Sequence, residues 1–387
     1  MAIHGALLRD TPNPQLLSNR AVWLTAKRAG LEIKPAPYTP PRENEIVVKN
    51  HAVAINPIDW LTQSIGDIMF PWIKYPFILG SDVAGEVVEV GNALSRLNVG
   101  DRVLGHAVGV DKKRNNPAEG AFQEYTVLLD HMAAPIPDAM AYENAAVLPL
   151  ALSTAACGLF QKDQLALLYP SISPKPTGKT LLIWGGSTSV GSNAIQLAVA
   201  AGYDVITTAS PKNFDYVKRL GASQVFDYRS RTVVADVIKA FNDRTMAGAL
   251  AIGLGSAEAC LDIVHACKGD KFVSMATPSV SFDKAPKGHL RMLWLVPTIG
   301  RLISSNVSMM FKSRMRRVRT KFIFGTSLMD NEVGRMIYIE FLPKALANGS
   351  YVATPEPHVV GRGLDFIQTG FDVQVKGVSA RKVVVSL

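Results

Sequence analysis

The sequence predicts an α/β fold: a doubly wound parallel sheet inserted into a second domain built as a partly open β-barrel. Three observations point there. Residues 181–193 pass from a short apolar strand through a glycine turn into an apolar helix. Strand-like and helix-like runs then alternate as far as Gly255, the pattern of parallel strands joined by crossover helices. Before them, residues 20–130 carry glycine-punctuated, valine-rich strands, as in a compact barrel.

The glycine turn is the most informative stretch. Leu181-Leu182-Ile183-Trp184 leads into Gly185-Gly186-Ser187-Thr188-Ser189-Val190-Gly191, and a helix pattern continues through Ala194, Ile195, Leu197 and Ala198. Glycine admits backbone angles that a side chain forbids. The helix start offers unpaired amides and a positive dipole end to a phosphate. This order is the first unit of a dinucleotide-binding domain. Gly186 and Gly191 match the outer glycines of G-x-G-x-x-G, while Thr188 stands at the middle one. The bland reading is a glycine turn that merely precedes a helix.

The residues after the turn favour a cofactor site. Ala200-Ala201-Gly202 closes the helix, and Val205 to Thr208 reads as the next parallel strand. In an NAD-binding domain that strand ends in Asp or Glu, about 20 residues after the turn, to accept from the ribose hydroxyls. Here its end carries Ser210 and Lys212 and no acid, a donor and a cation suited to a 2′-phosphate. Tyr228 and Arg229, after Gln224-Val225-Phe226, are placed to close on the same group. The expected cofactor is NADPH; the alternative is a solvated loop with ordinary surface charge.

With 387 residues, 48% of them hydrophobic, the chain has material for two or three domains. Its three cysteines, Cys157, Cys260 and Cys267, lack metal-ligand spacing and read as reduced thiols of a cytoplasmic protein. The start, Met1-Ala2-Ile3-His4-Gly5, has neither the basic opening nor the apolar stretch of a signal peptide. No run reaches the ~18 uninterrupted apolar residues of a spanning helix. The net charge of +9 is concentrated: ten cations and no acid lie between Lys284 and Lys321, which leaves the remainder at 9 − 10 = −1. A basic surface confined to one segment suits a local acidic partner and argues against nucleic acid.

The barrel strands are read at Ala21 to Leu24, Leu31 to Lys34, Glu45 to Ile55, Pro76 to Gly91, Val99 to Val103 and Ala121 to Val127. The polar segment Asp111 to Glu119 is expected to be a mobile loop. Asn56-Pro57-Ile58-Asp59 ends a strand and has two readings, a helix cap or an Asn56 turned into a cleft. Ala145 to Ala156 has the small-residue composition of packed helices, and the first domain boundary is placed near residue 150.

These pieces together resemble the medium-chain dehydrogenase/reductase superfamily, in its zinc-independent quinone-reductase and enoyl-reductase branch. The matching stretches are Asn56-Pro57-Ile58-Asp59, Gly80-Ser81-Asp82-Val83-Ala84-Gly85, Val99-Gly100-Asp101-Arg102-Val103, Ala121-Phe122-Gln123-Glu124-Tyr125, Ser153-Thr154-Ala155 and the glycine turn. Phe322-Ile323-Phe324-Gly325 and Lys382-Val383-Val384-Val385 also match. The resemblance implies a Rossmann domain, 151–326, inserted in a GroES-like substrate domain, 1–150 and 327–387. Zinc-dependent relatives carry Gly-His-Glu at Gly80-Ser81-Asp82 and a cysteine at Asn56, so no metal site is expected here.

Gly185-Gly186-Ser187-Thr188, Ala209-Ser210-Pro211-Lys212-Asn213 and Val225-Phe226-Asp227-Tyr228-Arg229 are similar to the stand-alone enoyl reductases of fungal polyketide synthases. In that group Ser or Thr often takes the middle glycine's place, with its hydroxyl available to the pyrophosphate. The resemblance implies NADPH-dependent reduction of a carbon–carbon double bond conjugated to a thioester, ketone or quinone carbonyl, without a metal. It implies cofactor contacts from Gly185, Gly186, Ser187, Thr188, Ser189, Val190, Ser210, Lys212, Tyr228, Gly253, Leu254, Phe324 and Gly325. Asn56 and Thr154 are the candidate active-site polar groups, and water is the expected source of the α-proton.

Residues 284–321 are the least family-like segment. Apolar residues from Leu290 to Phe311 are broken by Pro297, Gly300 and Arg301. Three readings stand: a cavity wall or dimer surface, an amphipathic segment at an anionic membrane, or a dock for an acidic carrier protein. Monomer and homodimer are both open. Two other functions compete with the reductase: a non-redox member that keeps NADPH structurally or uses its cavity for a cyclisation, and a membrane- or carrier-docking module.

Overall fold

The computed structural model describes residues 18–282 and 290–387. Eight strands come first: β1 (Asn19–Leu24), β2 (Leu31–Ala36), β3 (Glu45–Ala54), β4 (Phe77–Ile78), β5 (Asp82–Val90), β6 (Arg102–His106), β7 (Tyr125–Leu129) and β8 (Ala133–Pro135). Helix α1 (Pro57–Met69) follows β3, with Pro57 in its first turn, where a missing N–H costs no bond. β1 pairs antiparallel with β2 and β4. β3 pairs with β5 on one side and β7 on the other, and β6 joins β5 to β8. Branched side chains from this curled sheet, among them Val48, Val53, Val83, Val87 and Val103, fill one buried cluster.

The segment Asp111 to Glu119, expected to be mobile, is pinned. Arg114 bridges Glu119 at 2.6 Å and Glu45 at 2.5 Å, and both carboxylates are buried. Asn116 caps the short turn at Pro117–Glu119 by accepting from the Ala118 amide. The sequence hides this anchor because Glu45 lies 69 positions from Arg114.

Helices α2 (Tyr142–Ala146) and α3 (Pro149–Phe160) join the barrel to the parallel sheet. The stretch Tyr142–Phe160 is apolar enough to cross a membrane, yet 78% of it is buried inside the protein. Its alanines let α3 lie close against α4 (Ser189–Ala200), and this packing merges barrel and sheet residues into one core.

The parallel sheet contains β9 (Lys179–Trp184), β10 (Asp204–Ala209), β11 (Gln224–Asp227), β12 (Thr245–Ala251), β13 (Phe272–Met275) and β14 (Arg319–Phe322). Their spatial order is β11-β10-β9-β12-β13-β14, and every neighbouring pair is parallel. This is the doubly wound Rossmann order, with the direction reversing between β9 and β12. Helices α5 (Phe214–Arg219), α6 (Val233–Ala240), α7 (Ser256–Ala266) and α8 (Leu290–Arg316) complete the crossovers. The chain then returns to the first sheet: β15 (Glu356–Arg362) pairs with β16 (Arg381–Ser386), and β16 with β3.

The segment read as broken at Pro297, Gly300 and Arg301 is one helix of 27 residues. Pro297 removes a single amide bond, and the inner face at Leu295, Thr298 and Met309 is held by burial. Thr298 also donates to the Trp294 carbonyl at 2.7 Å. Lys284 and Lys287 lie outside the described residues.

Candidate active site

The carboxyl ends of β9 and β12 face each other at the point where the strand order reverses, the place where such sheets bind ligands. Gly185 has φ +90°, and a Cβ there would stand 2.7 Å from the Ile252 carbonyl oxygen. At Gly186 a Cβ would come within 2.2 Å of Thr207 Oγ1, and at Gly191 within 2.2 Å of the Gly185 carbonyl. The turn therefore lies as close to its neighbouring strands as bare backbone allows. Thr208 holds it from β10, taking the Gly185 amide on its hydroxyl at 3.0 Å and the Gly186 amide on its carbonyl at 2.9 Å.

Thr188 is the cap of α4. Its hydroxyl accepts from the Gly191 amide at 3.0 Å and donates to the Gly185 carbonyl at 2.8 Å. That proton is committed inside the turn, so the expectation of a hydroxyl free for a pyrophosphate is not met here. Ser189 and Val190 occupy the first helical positions, whose amides have no partner within a helix. Across the crevice Gly253 has φ +104°, and a Cβ there would meet nothing within 4 Å. Its amide donates to Thr277 Oγ1 at 2.9 Å, and Leu254 projects into solvent.

At the end of β10, Ser210 is buried and accepts from Asn213 Nδ2 at 3.2 Å. Lys212 is exposed and forms no ion pair among the described residues. Ala209 is in register with Asp227, so the loops carrying Ser210 and Tyr228 leave the sheet side by side. Tyr228 is exposed and meets its neighbour Arg229, whose guanidinium stands 5.2 Å from the ring centre.

Thr154, on α3, donates to the Leu150 carbonyl at 2.8 Å and lies against Gly325, where a Cβ would stand 2.8 Å from its hydroxyl. Phe324 is exposed beside it. The Cys157 thiol, pushed up to about 12 by burial, holds the Phe324–Ser327 turn, with Sγ 3.5 Å from the Phe324 carbonyl and 3.4 Å from Ser327 Oγ.

Both readings of the Asn56 motif are realised, by different residues. Asp59 caps α1, accepting from the Asn56 amide at 2.7 Å. This frees the Asn56 side chain for a buried charge cluster. Asn56 Nδ2 donates to Asp82 Oδ2 at 2.8 Å, and Lys382 Nζ donates to Asn56 Oδ1. Lys382 and Asp82 form an ion pair at 2.9 Å, with side chains 4% and 0% exposed. The other Asp82 oxygen accepts from the Leu150 amide at 2.6 Å. Leu150 is thus bonded at its amide by Asp82 and at its carbonyl by Thr154, which couples the two candidate catalytic positions through one turn of α3.

Behind this cluster runs a second buried chain. His106 Nδ1 lies 2.9 Å from Ser153 Oγ, Ser153 lies 2.7 Å from the Tyr338 hydroxyl, and Tyr338 donates to the Pro149 carbonyl at 2.9 Å. Tyr338 is aimed by a π-helical turn, Met336–Phe341.

Burial pushes the Asp59 carboxyl up to about 7 and the His106 imidazole down to about 4. The two titrations oppose each other. A raised carboxyl holds a proton that the unfolded chain has released, so its contribution to stability falls as pH rises through about 4 to 7. A depressed imidazole does the reverse, and stability falls as pH drops from about 6.5 toward 4. Asp59→Asn removes only the first effect. Relative to the native chain it should gain stability by on the order of 2–4 kcal/mol from about pH 4 to 7, then level off. Urea unfolding across that range measures the difference; a pH-independent difference would refute the assignment.

Two family models match the chain: an alcohol dehydrogenase GroES-like domain over residues 42–138 and a zinc-binding dehydrogenase domain over 189–276. The chain is 56% identical to the dehydrogenase pigH of Monascus ruber, over 96% of this chain and 100% of that one. It belongs to the medium-chain dehydrogenase/reductase family.

It is also 39% identical to the trans-enoyl reductase himH of Aspergillus japonicus, over 96% of this chain and 98% of that one. A quinone oxidoreductase from Pseudomonas syringae shares the fold with a TM-score of 0.67 at 20% identity, over 95% of this chain and 100% of that one. The protein is thus an oxidoreductase of a family whose members use nicotinamide cofactors. Among the described residues, no three His, Cys, Asp or Glu side chains gather as metal ligands. Sequence reasoning missed Lys382 as a site residue. The available signal was a lysine opening the apolar run Val383-Val384-Val385, a charge set in a strand that reads as core.

Proposed function

We propose that this medium-chain reductase uses NADPH to reduce a carbon–carbon double bond conjugated to a thioester, ketone or quinone carbonyl. The observation that carries the reading is the tight glycine turn at the sheet's reversal point, beside a β10 end that bears Ser210 and Lys212 and no acid. The trans-enoyl reductase and quinone oxidoreductase among its relatives support the reaction class.

The site suits the cofactor because Gly186 and Gly191 let the turn pack against Thr207 and Gly185 with no room for a Cβ, while the space above Gly253 is open. Gly185 to Val190 would hold the pyrophosphate, Ser210, Lys212 and Tyr228 the 2′-phosphate, and Gly253, Leu254, Phe324 and Gly325 the nicotinamide half. Bound there, NADPH supplies a hydride to the β-carbon of the substrate. The protein's part is orientation and charge. Asn56 Nδ2 has two hydrogens and gives one to Asp82, which leaves the other for a substrate carbonyl. The Lys382 ammonium behind it favours negative charge developing on that oxygen. The reaction as written needs no metal, and the α-proton comes from water.

Asn56→Ala should lower kcat by about 10- to 100-fold and change NADPH affinity far less. Equal losses in both would remove Asn56 from the reacting end. The reaction class is tested by stopped-flow decay of NADPH absorbance against enones, enoyl thioesters and quinones. Silence across that panel, with the cofactor bound, would exclude it.

A further inference from the structure

Helix α8 carries two apolar faces, and the fold uses only one. The inner face, at Leu295, Thr298 and Met309, packs against the protein. On the opposite side Leu293, Val296, Ile303, Val307, Met310 and Phe311 are all exposed. With Gly300 between Val296 and Ile303, the first five fall at alternating steps of three and four residues, which lines them up along one side of a helix. From Leu293 to Met310 the stripe runs about 26 Å at the usual helical rise. Soluble monomers rarely leave a continuous apolar strip of this kind uncovered.

The charge carried by this segment of the chain is of one sign. No Asp or Glu occurs from Lys284 to Met329. Arg316 and Lys321 pair with Asp262 and Asp163 of neighbouring elements. Arg301, Lys312, Arg314 and Arg317 are exposed and pair with no carboxylate among the described residues. A second copy of α8 laid along this stripe would bring the same cations and no acid to meet them. The occupant must therefore be apolar at its centre and anionic around it.

We propose that α8 is a membrane-surface anchor, lying flat in the interface of a bilayer that contains anionic lipid. The stripe would enter the boundary between headgroups and acyl chains, and Arg301, Lys312, Arg314 and Arg317 would lie against the phosphates. A fluid bilayer takes up a straight aliphatic stripe without a groove shaped to fit it. A folded acidic protein would need such a groove. The proposal uses no residue of the cofactor crevice, so its test stands apart from the reductase reading.

The full-length chain is mixed with phosphatidylcholine vesicles, with and without phosphatidylserine, and bound protein is separated by flotation. Binding is expected to the anionic vesicles and to weaken with salt. Arg314→Gln with Arg317→Gln should lower that partition about 30-fold, about fivefold per cation removed. Ile303→Ser with Val307→Ser should lower it by more than about tenfold. Thermal melting checks that each variant is folded. Val296→Trp reports insertion directly, through a blue-shifted emission quenched by brominated acyl chains. Water-exposed emission in the presence of anionic vesicles would overturn the proposal. So would absence of vesicle binding, whether the stripe then proved to hold a second copy, seen as a dimer lost in Ile303→Ser/Val307→Ser, or an acidic protein.

Discussion

Asp82→Asn should destabilise the protein by about 3–5 kcal/mol, the cost of leaving a buried lysine without its counter-charge. Both Asp82 oxygens are in use: one accepts from the Leu150 amide, the other from Asn56 Nδ2 while facing Lys382 Nζ. An asparagine amide in this place turns a donor toward at least one of these donors. The substitution also leaves the ammonium in a site that is 4% exposed. Urea unfolding measures the loss, and a change below about 1 kcal/mol would show that the pair is not holding α3 to the barrel. Asp82→Leu combined with Lys382→Met should recover much of the loss, because it removes both charges together. The double variant should turn over more slowly than the native chain even when stable, since the ammonium behind Asn56 is gone.

Lys212→Ala should raise the Michaelis constant for NADPH by about 10- to 100-fold and leave that for NADH nearly unchanged. Lys212 is an exposed cation without a carboxylate partner among the described residues, so its removal costs the fold little. Its effect is felt only when a phosphate stands at the end of β10. Ser210 cannot replace it, because a neutral hydroxyl offers the phosphate one hydrogen bond and no positive charge. An unchanged cofactor preference would place the discrimination elsewhere, with Arg229, on the loop after β11, the next cation to test.

The parallel sheet was legible because its signals are local. An apolar strand, a glycine turn and an apolar helix are contiguous from Leu181 to Ala200, and their order dictates a right-handed crossover. Gly186 and Gly191 were readable because the sites that forbid a Cβ accept few other residues. The barrel strands were readable from alternation and valine content, although Asp82–Val90 begins later than its glycine-rich approach suggests. Features made by long-range contacts were not readable. Arg114 turned a polar loop into a fixed one through Glu45, and Lys382 reached Asn56 across 326 positions.

The Asn56 motif shows the division most clearly. A cap and a cleft residue looked like alternatives because a sequence does not state which side chain turns which way. Asp59 reaches back to the Asn56 amide within its own turn, a contact three residues long. Only the return of β16 beside β3 brings Lys382 to the Asn56 amide group and draws that side chain inward. By itself the sequence determined the two-part α/β fold and the tight glycine turn, since strand period, helix period and glycine geometry act between near neighbours. Tertiary structure alone decided the Asn56–Asp82–Lys382 cluster, the fixed loop at Arg114 and the bare outer face of α8. Burying a charge, or leaving an apolar face uncovered, depends on what distant segments bring alongside.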